Sequence, residues 1–156
     1  MNNNYLKLSD TLSGKEGVIF LTTPDGQNKT LFEIVQLDAK ISFNKSQKTT
    51  LGNFMKQTKI VGAEGTGTLK MYLVSSDYVK MAIDYLRKGI MGELKIQLIN
   101  EDRQSSIGRQ NIVLTGVVLD EILLGKIDVD SEDPIMYETG FSFYDVELLE
   151  SFTSIF

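Results

Sequence analysis

The chain has no cysteine and no histidine. Without cysteine there is no disulfide staple, thiolate nucleophile or cysteine-based metal site. Without histidine it lacks the commonest general base near neutral pH and the commonest transition-metal ligand, which excludes most hydrolase triads and zinc sites. Tryptophan is absent too, and with it the aromatic platform a sugar-binding site would use. The longest apolar run, residues 112–119 with Thr115 and Gly116 inside it, is far short of the roughly 18 residues that span a bilayer, so no membrane insertion is expected. Basic residues number 16 against 21 acidic ones, a net charge of -5. They are scattered, with no basic patch to follow phosphates, which argues against a specific nucleic-acid binder. The opening MNNNYLKLSD has neither a charged leader nor a hydrophobic region. The chain is therefore expected to stay in the cytoplasm, or to leave it by a route that reads no signal peptide.

What is present fits one domain over residues 1–156, with 42% hydrophobic and 24% charged residues. Its centre is the stretch 62–89. Gly62, Gly65 and Gly67 are spaced as a turn feeding a strand, where backbone bends or approaches another backbone closely. Leu69, Met71 and Leu73 then alternate with Thr66, Thr68, Lys70 and Tyr72, the period-2 pattern of a strand with one dry face. At Ser75-Ser76-Asp77 the period changes. A serine cap opens a helix whose apolar stripe is Val79, Ala82, Ile83 and Leu86, and which is too short to be stable without packing on a sheet. Arg87 and Lys88 suit its carboxyl end and Gly89 supplies its left-handed stop.

The flanks read as strands. Residues 17–22 form a short strand, and Thr23-Pro24-Asp25-Gly26 a turn from which the next strand returns as a hairpin. Over 35–43 the alternation is strict, with Gln36, Asp38, Lys40 and Ser42 on the wet face; Phe32 and Ile34 lie in the opposite phase, which predicts a bulge. Residues 44–59 read as a long polar and basic loop carrying Leu51, Phe54 and Met55, with residues 51–54 at its tip. It is either a mobile hairpin tip or a contact loop whose apolar residues await a partner. Further strands follow over 93–100, over 110–124 with a joint at Gly116 and Ile112, Leu114 and Val118 on one face, and over 134–146 with Phe141 and Phe143 inward. Seven or eight strands and one helix, with no repeating strand–helix units, predict a mainly β, antiparallel sandwich or barrel with one packed α-helix.

No catalytic, cofactor or metal site emerges. Asp128-Val129-Asp130-Ser131-Glu132-Asp133 resembles the start of a calcium loop, but Asp133 stands where the turn needs glycine and Thr139 where a bidentate glutamate is needed. Ser13-Gly14-Lys15 lacks the upstream glycine and strand of a phosphate loop. Asp120, Glu121, Glu138 and Asp145 offer paired carboxylates of a kind common by chance. Two non-enzymatic readings remain, a self-assembling structural protein and a monomeric small β-barrel that binds a ligand.

Five segments together resemble the tail tube proteins of contractile phages, defective prophages and phage-tail-like bacteriocins of Gram-positive hosts. They are Ser13-Gly14-Lys15-Glu16-Gly17, Glu64-Gly65-Thr66-Gly67-Thr68 before Tyr72, Val74-Ser75-Ser76, residues 128–132, and Phe141-Ser142-Phe143. The resemblance runs over residues 12–152 and extends in fold to the type VI secretion tube protein. It implies hexameric rings stacked into a hollow tube for DNA or ion passage, within a virion tail or tail-like particle assembled in the host cytoplasm. Sheath, tape measure and baseplate proteins would be partners. On this reading Gln36, Asp38, Lys40, Ser42, Thr66, Thr68 and Lys70 face the lumen. The 44–59 loop, with Lys45, Lys48, Leu51, Phe54, Met55 and Lys56, reaches the adjacent ring, and residues 1–12 form an N-terminal arm.

Overall fold

The structure, a computed structural model, describes residues 7–10, 17–23, 26, 28–30, 34–74 and 76–153. After a turn of 3-10 helix at Leu8–Asp10 come β1 (Gly17–Thr22), β2 (Asn28–Thr30), β3 (Ile34–Thr49), β4 (Lys56–Tyr72), α1 (Asp77–Lys88), β5 (Leu94–Glu101), β6 (Arg109–Leu119), β7 (Met136–Phe143) and β8 (Asp145–Glu150). Most of the 1–12 arm, Ser13 to Glu16, Pro24, Asp25, Phe32 and Ser75 lie outside the described residues. The mainly β, antiparallel fold with one helix is as the alternation predicts, and the Gly26 N–H closes the β1–β2 turn on the Thr23 carbonyl at 2.9 Å.

Strand order is β2-β1-β5-β6-β7-β4-β3, with β8 added beside β6. The sheet turns a corner inside β6. Its first part pairs with β5 and β8, while Val118 and Leu119 pair with Ser142 and Phe141 of β7. The hinge is Gly116, at φ +70°, a left-handed conformation that glycine adopts without penalty. Here two steps along β5 (Leu94 to Ile96) face three along β6 (Val117 to Leu114), so the bulge shifts the side-chain phase by one. Leu114, Val117 and Leu119 consequently point inward. Val118, expected on the same face as Leu114, is turned out and is 42% exposed.

The core lies between the two halves of this folded sheet. Phe141, Met71, Leu94, Ile96, Leu114 and Val117 are its fully buried side chains, joined by Leu21, Leu69, Tyr78, Leu119 and Phe143. Each large apolar side chain taken out of water contributes about 1.5–3 kcal/mol. Helix α1 covers one side, with the expected stripe half-buried at Val79 and Ala82 only. Tyr78 is buried and Met81 packs on the core, whereas Ile83 and Leu86, the latter 78% exposed, face solvent. Only the first part of the helix docks, since every residue from Ile83 onward is exposed. Ser76 occupies the N-cap position but makes no side-chain capping bond; its carbonyl accepts from the Lys80 N–H at 3.0 Å. Gly89 ends the helix in the left-handed conformation, as expected.

Two further expectations are corrected. Gly62, Gly65 and Gly67 do not form a turn: all three lie inside β4, paired with Asn44, Ile41 and Ala39. Nor is 44–59 a long loop. β3 continues to Thr49 and β4 begins at Lys56, which leaves only residues 50–55 unpaired. The segment has no apolar period because both of its faces are wet, so alternation could not reveal it.

Candidate assembly surfaces

Among the described residues, three surfaces are open in the single chain. The first is a ribbon. β7 pairs β4 only from Gly65 to Tyr72, so on the far side of Gly65 strands β3 and β4 have only each other among the described residues. A two-stranded hairpin is marginally stable by itself in water. At its end the Asn53 N–H bonds to the Thr50 carbonyl at 3.2 Å, with Gly52 at φ +84° as in a type II turn. The Met55 N–H bonds to Asn53 Oδ1 at 3.1 Å. This turn holds out three apolar side chains, with Leu51 and Phe54 fully exposed and Met55 77% exposed.

The second surface is the polar face. Register places Gln36, Lys70 and Glu138 in one cross-strand row, Asp38, Thr68 and Gly140 in the next, then Lys40, Thr66 and Ser142, and finally Ser42 beside Glu64. All seven residues expected on the wet face thus share one side of β3 and β4. Asp38 Oδ1 accepts from both the N–H and the hydroxyl of Thr68, at 3.1 and 2.8 Å, which ties β3 to β4 within that row. Glu64, Glu138 and Ser142 complete the band and were not among the residues expected on the wet face. The alternation of Glu138, Gly140 and Ser142 around Phe141 was the available signal. The Asp120 carboxylate joins them, lying 2.5 Å from where a side chain on Gly140 would start.

The third is the edge beyond β3, which ends the sheet. The apolar side of β3 is poorly covered: Leu37 is half-buried, but Ile41 and Phe43 are exposed. Between it and β5–β6 lies an open groove of about 460 Å³, lined by Leu37, Ile41, Leu98, Ile112, Phe143 and Val146. A long edge strand with uncovered apolar side chains is a site for pairing with another chain.

Across that groove, β8 is tied to β6 by Arg109. Its guanidinium donates to both Glu150 oxygens, Nε to Oε2 at 2.8 Å and Nη2 to Oε1 at 2.6 Å. Those hydrogen bonds hold the Glu150 carboxyl below the usual carboxylate range. Tyr144 donates its hydroxyl to Glu93 Oε2 at 3.3 Å, and the Glu93 charge raises the phenol above its ordinary value.

A family model described as "Phage tail tube protein" matches residues 4–150. The chain belongs to the phage tail tube family. It is a structural protein of a phage-type tail. The phage-like element PBSX protein XkdM of Bacillus subtilis (strain 168) is 34% identical over 151 residues, covering 97% of this chain and 99% of that protein. YqbM of the same strain is 35% identical over the same length. Among solved structures, the tube-terminating cap of the anti-feeding prophage superposes with a TM-score of 0.69 at 8% identity, covering 97% of this tail tube chain and 98% of its own. The sheath/tube terminator of an extracellular contractile injection system gives 0.69 at 7% identity, covering 92% and 100%. At such identities the shared feature is the fold.

Proposed function

We propose that this tail tube protein builds the inner tube of a contractile tail or tail-like particle, with copies closing into hexameric rings that stack into a hollow conduit for DNA or ions. The observation that carries this reading is β3: a 16-residue strand with one edge unpaired among the described residues, a continuous polar band on one side and uncovered apolar side chains on the other. Pairing of that edge with a neighbouring copy would extend the band around a lumen and cover Ile41 and Phe43. Of the charges on the band, Asp38, Glu64, Asp120 and Glu138 outnumber Lys40 and Lys70, and a wall of net negative sign lets DNA slide rather than adhere. The apolar outer half of α1, with Ile83 and Leu86, is then available to a surrounding sheath. Tape measure and baseplate proteins would be further partners, and assembly would take place in the host cytoplasm. The ribbon tip, with Leu51, Phe54 and Met55 flanked by Lys45, Lys48 and Lys56, would bridge rings.

Negative-stain microscopy of concentrated protein, with a baseplate seed added, tests this. Six-fold rings and hollow stacks are the expected result. A single monodisperse copy at every concentration, seed included, would overturn the proposal and favour a ligand-binding monomer.

A further inference from the structure

Beyond the row of Ser42 and Glu64 the ribbon carries charge of one sign. Residues 43–63 include four lysines and no carboxylate, in a chain of net charge -5. Beyond the irregularity between Asn44 and Lys45, register puts Lys45 and Lys56 on one face and Lys48 and Lys59 on the other. The ribbon is therefore basic all round, although the lysines look scattered along the sequence. The opposite composition lies at the other end of the molecule. Loop 121–135, between β6 and β7, ends where the Ile135 carbonyl accepts from the Leu73 N–H at 2.9 Å, just past the end of β4. Asp128, Asp130, Glu132 and Asp133 there are all exposed, with no lysine or arginine among residues 127–135. Interleaved with them are Ile127 and Val129, both almost fully exposed.

We propose that the basic, apolar-tipped ribbon of one copy docks on the acidic 121–135 loop of a second copy. The complementary surfaces lie at opposite ends of the 17-residue β4, roughly 55 Å apart at strand rise. They cannot meet within one chain, and a head-to-tail contact of this kind repeats without limit along one direction. The inference deepens the tube reading and rests on it: this contact would be the joint between rings. Docking gives the two-stranded ribbon the cover it lacks, places Leu51, Phe54 and Met55 against Ile127 and Val129, and pairs four lysines with four carboxylates.

Charge reversal tests it. Lys45, Lys48, Lys56 and Lys59→Glu in one chain, and Asp128, Asp130, Glu132 and Asp133→Lys in another, should each keep the native circular dichroism yet lower pelletable tubes by at least about tenfold, because like charges then face one another. Combining both sets in one chain should restore tubes, as should mixing the two reversed chains. Normal tubes from either single reversal, or no rescue in the combined chain, would overturn the proposal. A second measurement works without tubes. The chain has no cysteine, so Asn53→Cys with Ser131→Cys should give a ladder of cross-linked copies at low salt that fades toward 1 M salt, where screening shortens to about 3 Å. Rings without a ladder would sink the docking and leave the tube; a ladder without rings would do the reverse.

Discussion

The ring of Phe141 lies on the bare backbone of Gly67, its register partner across β4 and β7. A methyl group on Gly67 would collide with the Phe141 ring and with the Asp38 carbonyl behind it; Gly65 stands in the same relation to Phe143, at 2.5 Å. Gly67→Ala is therefore expected to lower the stability of the single chain by about 1–3 kcal/mol, the usual cost of overfilling a packed site. Urea unfolding measures it. An unchanged midpoint would mean that the strand can shift without loss, and that close packing is not what this glycine serves.

Gly116 has a comparable neighbour in Tyr144, whose ring fills the space a side chain would need. Gly116→Ala carries two penalties, left-handed backbone at about 1–2 kcal/mol and displacement of that ring. In a double-mutant cycle, Tyr144→Ala should remove the second and leave the first. Strict additivity would show that the ring contact has no energetic weight.

Phe54→Asp with Met55→Asp should leave the fold intact, with a stability change within about 0.5 kcal/mol, as is usual for exposed positions. The same pair should abolish stacking in sedimentation and microscopy. Unfolding of the double variant would place these side chains in a core rather than at a free tip.

Glu150 gives a pH signature. Its folded carboxyl titrates below the ordinary value because Arg109 donates to it. The Arg109–Glu150 pair therefore contributes above the unfolded carboxylate range and loses its contribution as pH falls through the folded value. Glu150→Gln should be slightly less stable than the parent at neutral pH, by the small amount expected of an exposed pair, and equal to it in strong acid. Amide exchange along β8 would report this locally. A difference that persists in acid would assign the effect to packing instead.

Where one face of a strand is dry, its residues showed it in advance. Leu69 and Met71, Leu94 and Ile96, and Phe141 and Phe143 alternate with polar neighbours, and all six are buried. The wet band was legible for the same reason, since Gln36 to Ser42 and Thr66 to Lys70 keep a strict period. What could not be read depends on contacts or on phase breaks. The ribbon over 44–59 is polar on both faces, so it carries no periodic mark of a strand. The glycine at 116 looked like a joint, but its bulge, which turns Val118 outward, is a property of pairing with β5. The α1 stripe predicted contact as far as Leu86, whereas only its first half is covered.

Because β6 bends at Gly116 and serves both halves of the sheet, those halves are joined by continuous main chain as well as by side chains meeting across the core. A force applied to one half travels to the other along covalent bonds. Side-chain contacts can slip under load; a peptide backbone held by ladders at both ends does so only when a whole row of hydrogen bonds gives way together.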